Sequence, residues 1–416
     1  MARTLADLPT LAVLSPAEVN VRILVALAVV LATSRFLGWV VSKLHQPRVH
    51  GEILAGLLLG PSLLGVIWSQ ALDYLFPLDV VRGLKVLAQI GLVLFMFLIG
   101  LELDLDKLRG HGRKAVVISQ VSIITPLALG SLLAVWLYPR FGEHVDRLGF
   151  TLFIGAAMSI TAFPVLARVL EETGLTNTRI GVIAITCAAV DDVTAWCVLA
   201  GVVAIIESSG AGEAVQTIAL AIAFVIAMLA VARPLLWRLS TVPVWLALCL
   251  ALLGAWVTEQ IGIHAIFGAF MAGAVMPRRP EIQQGIRDQL HHTTVTFLLP
   301  VFFVVVGLST RIDMLDSAYL WGITALVVAT AIAGKLGGSM VAARLMKETW
   351  RDAATIGVLL NTRGLTELVI LTVGLELGVI TTTLFTIMVL MALITTLMAT
   401  PVLALISPTH HQTTPR

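Results

Sequence analysis

Apolar residues fall in long blocks along this chain, parted by short polar connectors. Crossing about 30 Å of hydrocarbon takes on the order of 20 apolar helical residues, fewer where a segment is broken or packed against protein. By that measure thirteen blocks qualify: 21–44, 51–68, 84–101, 115–138, 148–170, 179–206, 215–236, 243–258, 263–276, 294–308, 318–343, 353–374 and 381–406. Those at 51–68 and 263–276 are short and rich in Gly, which suits close helix packing better than contact with lipid. The pattern predicts an all-α polytopic membrane protein of about 13 transmembrane helices, with the lipid bilayer as its surroundings.

An odd number of crossings puts the termini on opposite sides, so connector charges test count and orientation together. Odd-numbered connectors carry sixteen Lys and Arg residues, among them Lys43, Lys107, Arg109, Lys114, Arg179, Arg279, Arg344 and Arg351. Even-numbered connectors carry five: Arg82, Lys85, Arg140, Arg147 and Arg311. The asymmetry predicts a multi-pass protein of the cell (inner) membrane with its N-terminus outside and its C-terminus in the cytoplasm. Residues 407–416 then form a short cytoplasmic tail, with no soluble regulatory or nucleotide-binding domain expected on the chain. The first twenty residues, with Asp7 and Glu18, lack the basic start and unbroken apolar core of a signal peptide.

Composition agrees: 58% of residues are hydrophobic and 12% charged, against roughly 25% charged in a soluble domain. A net charge of +2 without a basic cluster argues against nucleic acid as a partner. Cys187, Cys197 and Cys249 lie inside apolar blocks without metal-like spacing to His, so they read as small buried packing residues.

Against that background, ionisable residues well inside the blocks stand out: Arg35, Asp191, Asp192, Lys335, Arg363 and Glu367, with Glu52 near a block's start. A charge at mid-membrane is costly, so each is a functional candidate that needs a partner. Asp191 and Asp192 lie mid-way along the sixth block in Thr186-Cys-Ala-Ala-Val-Asp-Asp-Val-Thr-Ala-Trp196. Adjacent helical residues point about 100° apart, so one carboxylate can face a water-filled cavity while the other meets a neighbouring helix. Carboxylates so placed can take up either a cation or a proton near working pH. Lys335 is nine residues from Arg344, about 13 Å deep at 1.5 Å per residue, too deep to reach the headgroups easily. One of the two aspartates is its expected partner, and the lysine itself is a candidate proton carrier.

Ser159-Ile-Thr-Ala-Phe-Pro164 interrupts the fifth block, and Asn361-Thr-Arg-Gly-Leu-Thr-Glu367 the twelfth. Pro and Gly loosen a helix there, exposing carbonyls and half-helix ends to an ion. Arg363 and Glu367, four apart, read as a structural charge pair at the second break. His264 and Arg35 read as structural or interfacial. The breaks are seven blocks apart, an odd offset that reverses membrane orientation, as in inverted-repeat transporters. That pairs blocks four to six with eleven to thirteen. One transmembrane domain over 1–406 is expected, with a core bundle at about 115–206 and 318–406 and scaffold or dimer helices at about 21–101 and 215–308.

Five strings together resemble the monovalent cation:proton antiporters, in particular the branch of Kef, plant cation/H+ exchanger and NapA-like proteins. They are Gln46-Pro47 with Gly51-Glu-Ile-Leu-Ala-Gly-Leu-Leu-Leu-Gly-Pro61, the aspartate string, His264-Ala-Ile-Phe-Gly-Ala-Phe270, Gly334-Lys335 and Asn361-Thr-Arg-Gly-Leu-Thr-Glu-Leu368. The resemblance implies an NhaA-like antiporter fold with two crossed discontinuous helices, a homodimer and an elevator-like movement. It implies that Asp192 is the essential cation- and proton-binding group, with Asp191 beside it as partner of Lys335, and that Thr161 and Asn361 lie in the crossed segments. The two aspartates are thus the implied metal-ion ligands, with no cofactor beyond the transported ions. The strings match potassium-transporting relatives and the Asp-Asp-Lys set matches sodium exchangers, so Na+ and K+ both stay open.

The expected function is exchange of a monovalent cation for protons, without enzymatic chemistry. A sodium-coupled symporter of a small organic anion is the alternative architecture-sharing reading, and a cation channel fits less well, since conduction favours weak-binding rings of carbonyls or charges. An intramembrane aspartyl protease would need its carboxylates on facing helices.

Overall fold

The computed structural model describes residues 15–43, 46, 48–102, 112–176, 178–207 and 211–406. Lys107, Arg109 and the expected tail at 407–416 lie outside the described residues.

Among these residues the secondary structure is helical throughout, without a strand. The chain begins with α1 (Pro16–Lys43), α2 (Arg48–Leu59), the short α3 (Leu64–Ile67) and α4 (Ser69–Leu75), and α5 (Leu78–Glu102). Next come α6 (Gly112–Phe141), α7 (Arg147–Ser159), α8 (Phe163–Glu172) and α9 (Arg179–Glu207). The middle holds α10 (Ala211–Ala227), α11 (Arg233–Trp237), α12 (Val244–Ile261), α13 (Ala265–Ala274), α14 (Pro280–Thr293) and α15 (Leu299–Ser309). Last are α16 (Ala318–Ile332), α17 (Gly338–Leu345), α18 (Trp350–Leu360), α19 (Leu365–Glu376), α20 (Thr382–Leu397) and α21 (Ala399–Ile406). Single π-helical turns at Met228–Ala232, Thr294–Leu298 and Ala333–Gly337 join α10 to α11, α14 to α15 and α16 to α17.

Nine helical rods among the described residues are long and apolar enough to cross a membrane. The sequence blocks at 51–68, 148–170, 263–276 and 353–374 do not form full-length rods, so thirteen uniform helices are not what is found. Each has a local reason. Gly60-Pro61 follows α2, α13 starts only after His264 takes up a left-handed backbone (φ 71°), and the other two blocks are split by non-helical breaks at 160–162 and 361–364.

Helices pack in two sets. In the first, α5 lies against α13, α15 and α1, α2 against α1 and α15, and α12 against α13. Here main chains touch: a Cβ on Gly307 of α15 would fall on main-chain atoms of Gly56 of α2, so only Gly allows that approach. In the second set, α6 packs on α7, α9 and α17, α18 on α17 and α9, and α16 on α20. By contrast, the rod Val215–Trp237 has only 6% of its most apolar stretch buried, so it stands on the outside of the chain beside the other two sets. Two cysteines also differ from expectation: Cys187 is buried, but Cys197 and Cys249 are exposed. In a bilayer, apolar sequence does not separate buried faces from lipid-facing ones.

At one end of the second set a buried carboxylate ties three elements together. The Glu348 side chain, 1% exposed in the turn between α17 and α18, accepts from Lys114 at the start of α6 (2.9 Å) and from Arg179 at the start of α9 (2.5 Å). Arg344 of α17 donates to its main-chain carbonyl at 2.9 Å. Burial by itself would raise the Glu348 carboxyl, but the hydrogen bonds from Arg179 and Lys114 outweigh it and hold the group below the usual glutamate range. Its stabilising contribution is therefore present at neutral pH and lost as pH falls through that lowered value. Glu348→Gln is expected to lower the melting midpoint in detergent at pH 7, at a cost on the order of 1–2 kcal/mol given its half-exposed cationic partners. The gap from wild type should narrow once the pH is taken below the usual glutamate range of about 4. Thermal unfolding at both pH values checks it, and an equal gap at both would refute the assignment.

Candidate functional site

The site is built where the breaks of the fifth and twelfth blocks cross. A helix that stops leaves its last four carbonyls without intrahelical donors, and inside a membrane nothing but protein can supply them. For α7 those carbonyls belong to residues 156–159, and each has a partner. Ser159 Oγ donates back to Ala156 O (2.7 Å), Arg363 to Ala157 O (3.4 Å) and Met158 O (2.6 Å), and Lys335 Nζ to Ser159 O (2.5 Å). Arg363 comes from the other break, and its α-helical neighbour Glu367 in α19 is ion-paired with it at 3.0 Å, both fully buried. The chains touch directly as well: Ala162 N donates to Thr362 O (3.1 Å), and Thr161 Oγ1 reaches Leu360 O (3.3 Å) at the end of α18.

Lys335 is placed by two helix irregularities. It sits in the π-helical turn between α16 and α17, where Gly334 rests on Pro126 of α6. Pro126 lacks the N–H that would bond the carbonyl four residues back, which is Ser122 O. That freed carbonyl accepts from Lys335 Nζ at 3.0 Å. The third Lys335 contact is an ion pair with Asp191 Oδ2 at 3.0 Å, with both side chains fully buried. Asp191 is otherwise saturated by hydroxyls: Ser119 (2.5 Å), Ser122 (2.8 Å) and Thr161 (2.7 Å).

Asp192, on the next position of α9, is different. It is 3% exposed, and the main-chain amide of Phe163, the first residue of α8, bonds its carboxylate, while Oδ1 has no partner. A half-helix N-terminus thus faces a carboxylate, the favourable sense of the helix dipole. Asn361 Oδ1, at the other break, is likewise buried and unpartnered. Such orphaned buried oxygens are costly unless a cation or a proton donor meets them. On the Lys/Arg-rich side, a cavity of about 390 Å³ lined by Leu101, Glu102, Phe163, Gln283 and Arg287 reaches Phe163. On the other side of Asp192, Trp196 stacks edge-on against Phe267 of α13 at 5.8 Å.

All of the expected site residues, Asp191, Asp192, Thr161, Asn361, Lys335, Arg363 and Glu367, are therefore buried about one crossing. Asp191, expected as a cation ligand beside Asp192, has both oxygens engaged in this conformation. Arg35 and Glu52 are elsewhere, sharing a pocket of about 180 Å³ at α1 and α2. His264 stands at the N-terminal boundary of α13, where the Glu259 carboxylate accepts from Ala265 N at 2.7 Å. Sequence reading missed Ser119 and Ser122. Two hydroxyls three apart on one helix face are all the sequence offers there, a pattern common in membrane helices. No cluster of three or more His, Cys, Asp or Glu side chains suited to a metal ion occurs among the described residues.

Known proteins resemble the chain over nearly its whole length. The family model for the transmembrane sodium/hydrogen exchangers matches residues 27–407. The Na(+)/H(+) antiporter NhaS4 of Synechocystis sp. is 40% identical over 398 residues, covering 93% of this chain and 97% of its own length. Cation/H(+) antiporter 19 of Arabidopsis thaliana is 38% identical over 92% of this chain, and K(+)/H(+) antiporter 1 of Saccharomyces cerevisiae is 33% identical over 88%. This chain spans 49% and 44% of those two, about half their length. In fold it is similar to the sodium proton antiporter MjNhaP1 of Methanocaldococcus jannaschii, with a TM-score of 0.68 at 15% identity over 97% of this chain and 100% of the other. With its crossed broken helices and a family match running nearly end to end, the chain belongs to the transmembrane sodium/hydrogen exchanger family.

Proposed function

We propose that the protein exchanges a monovalent cation for protons, with Asp192 as the group that binds one or the other. The observation that carries this reading is the pair of buried, unpartnered oxygens, Asp192 Oδ1 and Asn361 Oδ1, at the crossing. A partly dehydrated cation needs several oxygens, and Thr161 Oγ1 and Leu360 O lie at the same crossing as further donors. Protonating Asp192 removes the negative charge that holds the cation, so binding of the two is mutually exclusive. Asp191 and Lys335 cancel one another, as do Arg363 and Glu367, which leaves Asp192 as the uncompensated charge of the site. The polar cavity at Phe163 supports access from the Lys/Arg-rich side, which the connector charges assign to the cytoplasm.

For alternating access, the α6–α9 and α16–α21 bundle would move against α1–α5 and α10–α15 in an elevator-like step, in a homodimer in the cell membrane. The relatives named for Na+ and for K+ suggest both ions as substrates to test. No cofactor enters this scheme.

Asp192→Asn is expected to abolish exchange. In proteoliposomes holding a pH dye, Na+, Li+, K+ or Rb+ added to wild type should collapse an imposed pH gradient, and the variant should not respond. A variant that still responds sinks the role given to Asp192. Lys335→Gln leaves Asp191 buried without its counter-charge and is expected to cost about 3–5 kcal/mol of stability. The double variant Asp191→Asn with Lys335→Gln removes both charges and should recover most of that loss. Melting midpoints of the single and double variants decide it, and additive losses would show that the pair is not coupled.

A further inference from the structure

Next to the crossing lies a further cavity, to which the proposed cation and proton binding gives no role. It measures about 380 Å³, within the range of small-molecule sites, and is bounded by α9, α10 and α13. Its inner wall is formed by Trp196, Cys197, Ala200 and Gly201 of α9 and Phe267 of α13, and its outer wall by Ile222 and its neighbours on α10. The lining is aliphatic and aromatic, with the Trp196 indole and the Cys197 thiol as its polar side chains. Such a cavity offers water too few hydrogen-bond partners to hold it.

What fills it follows from what surrounds α10. Ile222 and Ile226 line the cavity yet are 56% and 58% exposed, and the rod they belong to is 6% buried along its most apolar stretch. The cavity is therefore continuous with the lipid-contact surface, and hydrocarbon is the medium at its mouth. The space is real on the α9 side: a Cβ built on Gly201 meets no atom within 4 Å. We infer that this cleft takes an acyl chain of a membrane phospholipid, seated between α10 and the wall formed by α9 and α13. The occupied cleft begins four residues along α9 from Asp192, about 6 Å at 1.5 Å per residue. A chain there would replace the dispersion contacts that the missing side chain of Gly201 leaves unmade.

The test is photolabelling, which does not depend on exchange. The full chain is reconstituted in phosphatidylethanolamine and phosphatidylglycerol vesicles containing a phospholipid with a diazirine midway along one acyl chain. After illumination, adducts are mapped by mass spectrometry. Adducts are expected on the inner wall, at Cys197, Ala200, Gly201 and Phe267, as well as on the outward-facing Val231 and Leu235. Gly201→Leu and Ala221→Leu fill the cleft from opposite walls, and either should reduce inner-wall labelling about fivefold while Val231 and Leu235 stay labelled as before. Labelling confined to Val231 and Leu235 in the wild type would overturn the inference. Inner-wall labelling unchanged in both Leu variants would do so as well.

Discussion

A helix broken inside a membrane must have every freed main-chain group satisfied by protein, and the core of this molecule is arranged around that requirement. The last four carbonyls of α7 are met by one hydroxyl and two cationic side chains, from Ser159, Arg363 and Lys335. Neither cation is placed by its own helix alone. Lys335 is turned inward by a π-helical step that rests on Pro126, and the carbonyl that Pro126 frees becomes one of its acceptors. Arg363 belongs to the opposite break and bridges to α7 while pairing with Glu367. The crossing is thus a mutual repair, each broken segment supplying groups the other lacks.

The same groups set the charge of the site. Cations brought in to satisfy carbonyls would be unstable in a dry interior without anions nearby, and Asp191 and Glu367 fill that role. Asp191 is held further by three hydroxyls, which spend its lone pairs on fixed partners. Asp192 points about 100° away on α9, toward the amide of Phe163, and keeps a free oxygen. Adjacent identical residues therefore differ in their surroundings: one is held by fixed partners at the crossing and the other keeps an oxygen without a hydrogen bond. Two aspartates in tandem thus give one helix both settings at one depth.

Much of this could be read from the chain alone, and the reason is contrast. Asp191, Asp192, Lys335, Arg363 and Glu367 are conspicuous because charge is costly in apolar blocks, and the Pro and Gly at 164 and 364 mark where helices loosen. Ser119 and Ser122 were not legible for the opposite reason. Hydroxyls are common in membrane helices and usually bond their own backbone, as Thr186 and Thr194 do four residues back in α9. Nothing local distinguishes a serine that instead reaches across to Asp191. Glu348 was hidden by its position in a polar turn, where a charge needs no explanation until the distant Lys114 and Arg179 are seen to meet it. The π-helical turn at Lys335 has no compositional signature; it lies where Gly334 packs against Pro126 of a distant helix.

The kinds of contact also differ with place, and that bears on what can move. Opening the crossing would strand the α7 carbonyls, the Arg363–Glu367 pair and the Asp191–Lys335 pair in a medium without water, each at several kcal/mol. Next to it, α9 meets α13 through Trp196 against Phe267 and through apolar walls, contacts that carry no directional hydrogen bond. Apolar contacts of that kind can slide and re-form at little cost, because burial depends on area rather than on alignment. Any movement that carries Asp192 from one side to the other is therefore cheapest if the crossing and the clasp at Glu348 travel together and the slip occurs along α13. A rearrangement within the crossing would have to break the very bonds that make a broken helix tolerable in lipid.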